Sequence, residues 1–319
     1  MFWTIVLLFT GFAVLIKGAD FLVNGASSLA KKMNISNLAI GLTVVAFGTS
    51  APELIVSLLS AYNGAADASF GNAIGSNNFN LFFILGIAGL IYPLVVQRST
   101  IKYEVPLSIL AAVVLFVLVN DSMIWGSEND MLSRTDALIL LGFFGLFMFY
   151  IVRTMKNNTD LDQTNVKIYK NWLAIVMSVA GLVMLVGGGK LVVDNAILIA
   201  KDFGMSNKLI GLTILAAGTS LPELVTSCVA AYRKNTDIAI GNVIGSNIFN
   251  IFFILGITGT VSPLQYTSVL NFDIAVLIGG TILLMVFMFT INTRKLDRWE
   301  ALILFLGYIT YTAYLVGMD

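Results

Sequence analysis

GLTVVAFGTSAPELIVSLLSAYNGAADASFGNAIGSNNFNLFFILGIAGLI, residues 41–91, occurs twice in this chain. At a constant offset of 170 it returns as GLTILAAGTSLPELVTSCVAAYRKNTDIAIGNVIGSNIFNIFFILGITGTV, residues 211–261, with well over half of the positions identical and no gap. Internal repetition of this kind in an apolar chain points to a transporter assembled from two halves around one site. Each copy carries a glutamate, Glu53 or Glu223, inside a hydrophobic span. An ionisable side chain at that depth is costly and marks a functional position.

Composition agrees. The 319 residues are 58% hydrophobic and 11% charged, with a mean hydropathy of +0.90; a soluble domain carries roughly 25% charge. The class is therefore an all-α polytopic membrane protein. Zero formal net charge gives no reason to expect a nucleic acid or another bulk polyanion as partner. The absence of histidine excludes imidazole ligands and a histidine proton relay. The single cysteine, Cys228, is read as a small buried hydrophobe. The opening MFWTIVLLFTGFAVLI lacks a basic leader and is read as a retained first helix.

Apolar runs near 3–24, 38–62, 68–92, 103–120, 133–153, 172–195, 208–232, 237–261, 269–291 and 298–316 predict ten transmembrane helices. The offset also maps Gly11 onto Gly181 and Ser36-Asn37 onto Ser206-Asn207, so the repeat unit is a five-helix half: 1–153 and 172–319, joined by a polar cytoplasmic linker, 154–171. Thirteen basic residues follow odd-numbered helices, from Lys31 and Lys32 through Arg98, Lys102, Arg153, Arg233 and Lys234 to Arg294, Lys295 and Arg298. The opposite side holds only Arg134, Lys201 and Lys208. Odd loops are thus expected in the cytoplasm, both termini outside, in a plasma-membrane protein. A unit with an odd number of crossings must re-enter from the other side, which makes the halves inverted repeats.

The duplicated motifs are oxygen-rich. In Gly48-Thr49-Ser50-Ala51-Pro52-Glu53 and Gly218-Thr219-Ser220-Leu221-Pro222-Glu223, the proline breaks the helix and frees backbone carbonyls. Hydroxyls from Thr49, Ser50, Thr219 and Ser220 stand beside them. In the second motif, Ser76 and Asn80, with Asn72 one turn back, share a helix face, and Asn247, Ser246 and Asn250 are read as repeating the arrangement. Together with Glu53 and Glu223 these supply the oxygens a hard cation needs. No lysine or arginine in either motif can neutralise the two carboxylates, so a cation or protons must.

The competing readings are plain ones. Glu53 and Glu223 could be helix-packing acids, Asn72 and Asn242 interhelical hydrogen-bonders, and Asn77 and Asn247 lie about 100° round the helix from the serines. Asp67 and Asp237 are expected as helix N-caps. Lys17, Asp20, Lys190 and Asp194 near helix ends are read as snorkelling or locally paired. Trp3, Tyr92, Trp172 and Trp299 fit an interfacial belt. No GxxxxGK[ST] motif suggests ATP-driven pumping.

On GTSAPE and GTSLPE, and on GNAIGSNNFN and GNVIGSNIFN, the chain resembles the sodium/calcium exchanger family of the calcium/cation antiporter superfamily. The resemblance runs over the whole ten-helix length. It implies a non-enzymatic antiporter working by alternating access, with Na⁺ entry driving Ca²⁺ out, and no organic cofactor or obligatory protein partner. It implies that Glu53 and Glu223 coordinate calcium and that Asn80 matches the family's amide or carboxylate. It further implies that Thr49, Ser50, Ser76, Thr219, Ser220 and Ser246 serve flanking Na⁺ sites. Many relatives have aspartate at the position of Asn250, so this site carries one negative charge fewer. The large calcium-sensing domain of animal members has no counterpart between the halves. H⁺/Ca²⁺ exchange on the same scaffold is the alternative, and a cation channel a remote one; the hydroxyl-rich GTS segments favour Na⁺, since a proton needs no such ligands.

Overall fold

Pro52 stands within the first turn of its helix, and the break that it predicts is there. The computed structural model describes residues 2–154, 167–203, 216–290 and 293–318. Helix α1 is Phe2–Met33, and α2 (Asn37–Thr49) meets α3 (Ala51–Tyr62) at a 45° bend. Then follow α4 (Ala66–Ile91), α5 (Thr100–Val119), α6 (Arg134–Thr154) and α7 (Asn171–Asp202). The second half continues with α8 (Ala216–Thr219), α9 (Leu221–Tyr232), α10 (Thr236–Val261), α11 (Ser268–Phe287) and α12 (Arg298–Met318). Among the described residues, eight helices are long and apolar enough to cross a membrane, and the bent pair α2–α3 makes a ninth. The expected span 208–232 falls partly outside the described residues, as do most of the linker 154–171, Lys156, Ser206, Asn207 and Lys208.

The helix break is centred on one residue in each half. Ser50 leaves the helical region at φ −83°, ψ 8°, and Ser220 does the same at φ −88°, ψ 9°. Proline has no N–H for the carbonyl four residues back, so the helix cannot run through. Further along, π-helical turns interrupt α4 at Phe79–Ile84 and α10 at Phe249–Leu255, again at the repeat offset. Such turns concentrate at functional sites.

Among the described spans, helix α10 is the most enclosed, with 94% of its apolar window buried, and α4 follows at 72%. These two form the centre, and α2 lies against α10. A Cβ on Gly245 would come within 2.9 Å of the Leu42 backbone, so only glycine permits that approach. Outside the centre, α1 and α7 touch backbone to backbone. A Cβ on Gly181 would meet the Leu22 nitrogen at 2.6 Å and the Gly18 carbonyl at 2.7 Å.

Four two-residue strands tie the halves together by exchange. Strand β1 (Leu94–Val95), in the first half, pairs antiparallel with β4 (Lys295–Leu296) in the second. Strand β3 (Leu264–Gln265) pairs in the same way with β2 (Met131–Leu132). The next helices start with matching capping boxes. The Ser133 N–H donates to Asp136 Oδ2 at 2.9 Å, and the Asp297 N–H to Glu300 Oε2 at 2.7 Å.

Candidate cation site

Glu53 follows the break by one turn of α3, and Glu223 does so on α9. Both are only 1% exposed, and Asn80 and Asn250 are 0% and 1% exposed. The halves complete one another here. Ser50 Oγ lies 2.8 Å from Glu223 Oε1, and Ser220 Oγ 2.9 Å from Glu53 Oε1. Ser246 Oγ stands 3.0 Å behind Ser50 Oγ, and Ser76 Oγ 3.0 Å behind Ser220 Oγ. Each break serine has one proton to share between the carboxylate and the serine behind it, and Ser246 Oγ also donates to Glu223 Oε1 at 3.5 Å.

The asparagines repeat the exchange. Asn77 Nδ2 donates to the Asn247 carbonyl at 3.1 Å, and Asn247 Nδ2 to the Asn77 carbonyl at 3.3 Å. Asn80 Nδ2 donates to Asn247 Oδ1 at 3.1 Å, and Asn250 Nδ2 to Asn77 Oδ1 at 3.0 Å. Asn77 and Asn247 therefore clasp α4 to α10 and orient the two inner amides. Asn72 and Asn242 are the interhelical hydrogen-bonders of the plainer reading. Asn72 Nδ2 reaches the Glu53 carbonyl (3.0 Å) and Ser57 Oγ (2.9 Å). Asn242 Nδ2 reaches the Glu223 carbonyl (3.3 Å) and Ser227 Oγ (2.9 Å). The Thr49 hydroxyl closes this shell on Asn242 Oδ1 (3.1 Å), and Thr219 on Asn72 Oδ1 (3.4 Å).

What these bonds leave over is informative. Glu53 Oε2, Glu223 Oε2, Asn80 Oδ1 and Asn250 Oδ1 are buried and have no hydrogen-bond partner. They form two pairs related by the repeat offset. Buried polar atoms are almost always satisfied; Asn78 Oδ1, Glu104 Oε2 and the hydroxyls of Thr100, Thr226 and Thr258 are also partnerless among the described residues, but none of those has a partnerless counterpart at the repeat offset. Two carboxylate and two amide oxygens, with hydroxyls beside them, suit a hard cation. Among the described residues no group of three His, Cys, Asp or Glu could hold a metal, so a cation here would draw part of its oxygens from neutral groups.

The aspartates at the helix starts need correction. The N-cap of α4 is Ala65, and Asp67 lies in the first turn, accepting from Thr267 Oγ1 at 2.7 Å. The N-cap of α10 is Asn235, whose side chain already accepts from the Ile238 N–H. That frees Asp237 to accept from Gln97 Nε2 at 2.5 Å. Each aspartate thus ties its helix to a connection preceding another span. Asp20 pairs across helices rather than locally, with Arg233. The sequence pattern alone did not place Asn77 and Asn247 against each other's copies. Their shared offset was the available signal.

A buried, oxygen-lined centre lies between two duplicated parts of a polytopic helical membrane protein, and its donor set suits a cation. Comparison with known proteins names the family. A family model described as sodium/calcium exchanger protein matches residues 3–153 and 173–317, and the chain belongs to that family. It is 38% identical over 310 residues to the putative antiporter CaxA of Alkalimonas amylolytica, covering 94% of this chain and 95% of that protein. It is 32% identical over 345 residues to the sodium/calcium exchanger MaX1 of Methanosarcina acetivorans, covering 97% of each. The solved structure of the sodium-calcium exchanger NCX_Mj, soaked with 10 mM Na⁺ and no Ca²⁺, superimposes with a TM-score of 0.82 at 32% identity. That match covers 97% of this chain and 98% of NCX_Mj.

Proposed function

We propose that this protein is a secondary antiporter that exchanges Na⁺ for Ca²⁺ by alternating access and exports Ca²⁺ from the cell. The observation that carries the reading is the set of partnerless oxygens, Glu53 Oε2, Glu223 Oε2, Asn80 Oδ1 and Asn250 Oδ1. Two carboxylates supply −2, which one Ca²⁺ neutralises, and the oxygens replace part of its water shell. Thr49, Ser50, Ser76, Thr219, Ser220 and Ser246 provide oxygens for flanking Na⁺ ions. Their hydroxyl protons are directed at carboxylates, amides or other hydroxyls, so lone pairs remain for a cation.

In this reading the chain forms ten transmembrane helices as two inverted five-helix repeats, 1–153 and 172–319, around a cytoplasmic linker. The basic residues put odd-numbered loops in the cytoplasm and both termini outside the plasma membrane. The exchanged strand pairs β1–β4 and β3–β2 support a two-fold relation of the halves. The relatives' names, a sodium/calcium exchanger and a putative antiporter, support the same activity.

H⁺/Ca²⁺ exchange is the second reading, favoured by the fact that a proton can also occupy a partnerless carboxylate oxygen. Reconstitution separates the two. In liposomes, Ca²⁺ uptake is expected with an outward Na⁺ gradient and not with an equivalent pH gradient. Uptake driven only by the pH gradient would replace the Na⁺ assignment with the proton one. Flux without either gradient coupling would indicate a channel.

A further inference from the structure

One cavity is lined by charged side chains that differ from those at the corresponding place in the other half. Beside strand β1 the Val96 N–H donates to the Arg294 carbonyl at 2.8 Å. At the corresponding place beside β3 the Tyr266 N–H donates to the Asp130 carbonyl at 3.0 Å. The backbones match while the side chains differ in sign. Likewise Arg98 and Lys102, which follow β1, correspond at the repeat offset to Ser268 and Phe272. The opposite face is acidic: burial, then neighbouring Asp136 and Asp130, hold the Asp121 carboxyl above its ordinary range.

The basic version is a built cavity. Arg98, Lys102 and Arg294 line a space of about 670 Å³ together with Met285, Met288 and Phe289. Arg294 is held in the left-handed region at φ 65°, which a non-glycine residue adopts at a cost. Its backbone is fixed from both sides, since its N–H donates to the Met288 carbonyl at 2.8 Å and its own carbonyl is taken by Val96. Among the described residues no carboxylate lies within ion-pair reach of these three cations. Lys102 Nζ lies over the Tyr103 ring, 5.1 Å from its centroid.

We propose that this cavity binds an anionic phospholipid of the leaflet on the basic side, with the headgroup phosphate between Arg98, Lys102 and Arg294 and an acyl chain along Met285, Met288 and Phe289. Charge complementarity selects the headgroup. The apolar floor selects a lipid over a free anion, because inorganic phosphate gains nothing from methionine and phenylalanine. The loss of all three cations from the corresponding place in the other half argues for a leaflet-specific ligand. The inference requires membrane residence and is independent of which ions are exchanged.

Native mass spectrometry of the purified full chain tests it, with phosphatidylglycerol and phosphatidylcholine of identical acyl chains as probes. Phosphatidylglycerol is expected to bind more tightly, with Lys102→Gln weakening it about fivefold. The triple variant R98Q/K102Q/R294Q is expected to bring it level with phosphatidylcholine. The charge-preserving R98K/K102R/R294K should retain the preference, and the exposed single substitution carries the test if the triple variant does not fold. Equal binding of both lipids to the parent protein, or undiminished phosphatidylglycerol binding to Lys102→Gln and the triple variant, would overturn the proposal. So would displacement of phosphatidylglycerol by millimolar inorganic phosphate, which would assign the cavity to a free anion.

Discussion

Ser50 and Glu223 belong to different halves and share a 2.8 Å hydrogen bond, and Ser220 returns it to Glu53 at 2.9 Å. Each carboxylate is therefore oriented by the helix break of the opposite copy. Ser246, from the same half as Glu223, lies farther from it at 3.5 Å, so the shorter of these bonds comes from the opposite copy. A hydrogen bond to a charged group is worth about 1.5–3 kcal/mol. Ser50→Ala and Ser220→Ala should each lower thermal stability by that order and weaken Ca²⁺ uptake. A variant with unchanged uptake would show that this bond does not hold the carboxylate for its ion.

Glu53→Gln and Glu223→Gln should each abolish coupled uptake. Each leaves one carboxylate to face a divalent cation and presents a donor where an acceptor is needed. The fall should exceed the roughly 100-fold that loss of a ligand-orienting partner costs, measured as initial ⁴⁵Ca²⁺ flux per protein. Normal flux in either variant removes that residue from the site.

The asparagine clasp gives a different signature. Asn77→Ala removes the donor to the Asn247 carbonyl and strands Asn250 Nδ2. Asn247→Ala does the same to the Asn77 carbonyl and Asn80 Nδ2. Each stranded buried group costs about 1–3 kcal/mol. Both variants should melt earlier, and added Ca²⁺ should restore less stability than in the parent. If Ca²⁺ stabilises variant and parent equally, the clasp is mechanical only.

Sequence made part of this legible. The helix breaks at Ser50 and Ser220 follow from Pro52 and Pro222, because a missing N–H acts locally. Glu53, Glu223, Asn80 and Asn250 stood out because a polar side chain in an apolar span is costly and is kept where it does chemistry. The contacts between copies were not legible. A repeat says that Asn77 and Asn247 are equivalent, not that they face one another, since facing depends on how the halves dock. The strands β1–β4 were invisible for a related reason: two residues carry no periodicity. At Asp67 and Asp237 the expectation missed because the cap lies two residues earlier, where Asn235 already satisfies the Ile238 N–H.

Orientation can be read by chemistry on the single cysteine background. With Cys228 replaced by Ala, one cysteine placed at Glu128 and another at Asn158 should label from opposite sides with an impermeant maleimide in intact cells. The position at Glu128 should react from outside, and the one at Asn158 only after permeabilisation. Labelling of both from one side would break the inverted arrangement that the thirteen basic residues imply.

Asn250→Asp tests the neutral amides most directly. In the parent, Asn250 Nδ2 donates to Asn77 Oδ1 at 3.0 Å. Asn77 cannot simply turn its amide, because its Nδ2 is engaged by the Asn247 carbonyl. An ionised aspartate would set two acceptors against each other, whereas a protonated one can donate as the amide does. Below its titration the variant should therefore behave like the parent. As pH rises and the proton leaves, it should lose stability in the absence of cations. Ca²⁺ should reverse that loss, since a third carboxylate adds attraction once the ion is bound. The measurements are melting temperature and Ca²⁺ uptake across about pH 5–9, the range that spans a buried carboxyl's titration, parent against variant. A variant that tracks the parent at every pH, with and without Ca²⁺, would place Asn250 outside the ion's coordination and leave Glu53, Glu223 and Asn80 to hold it.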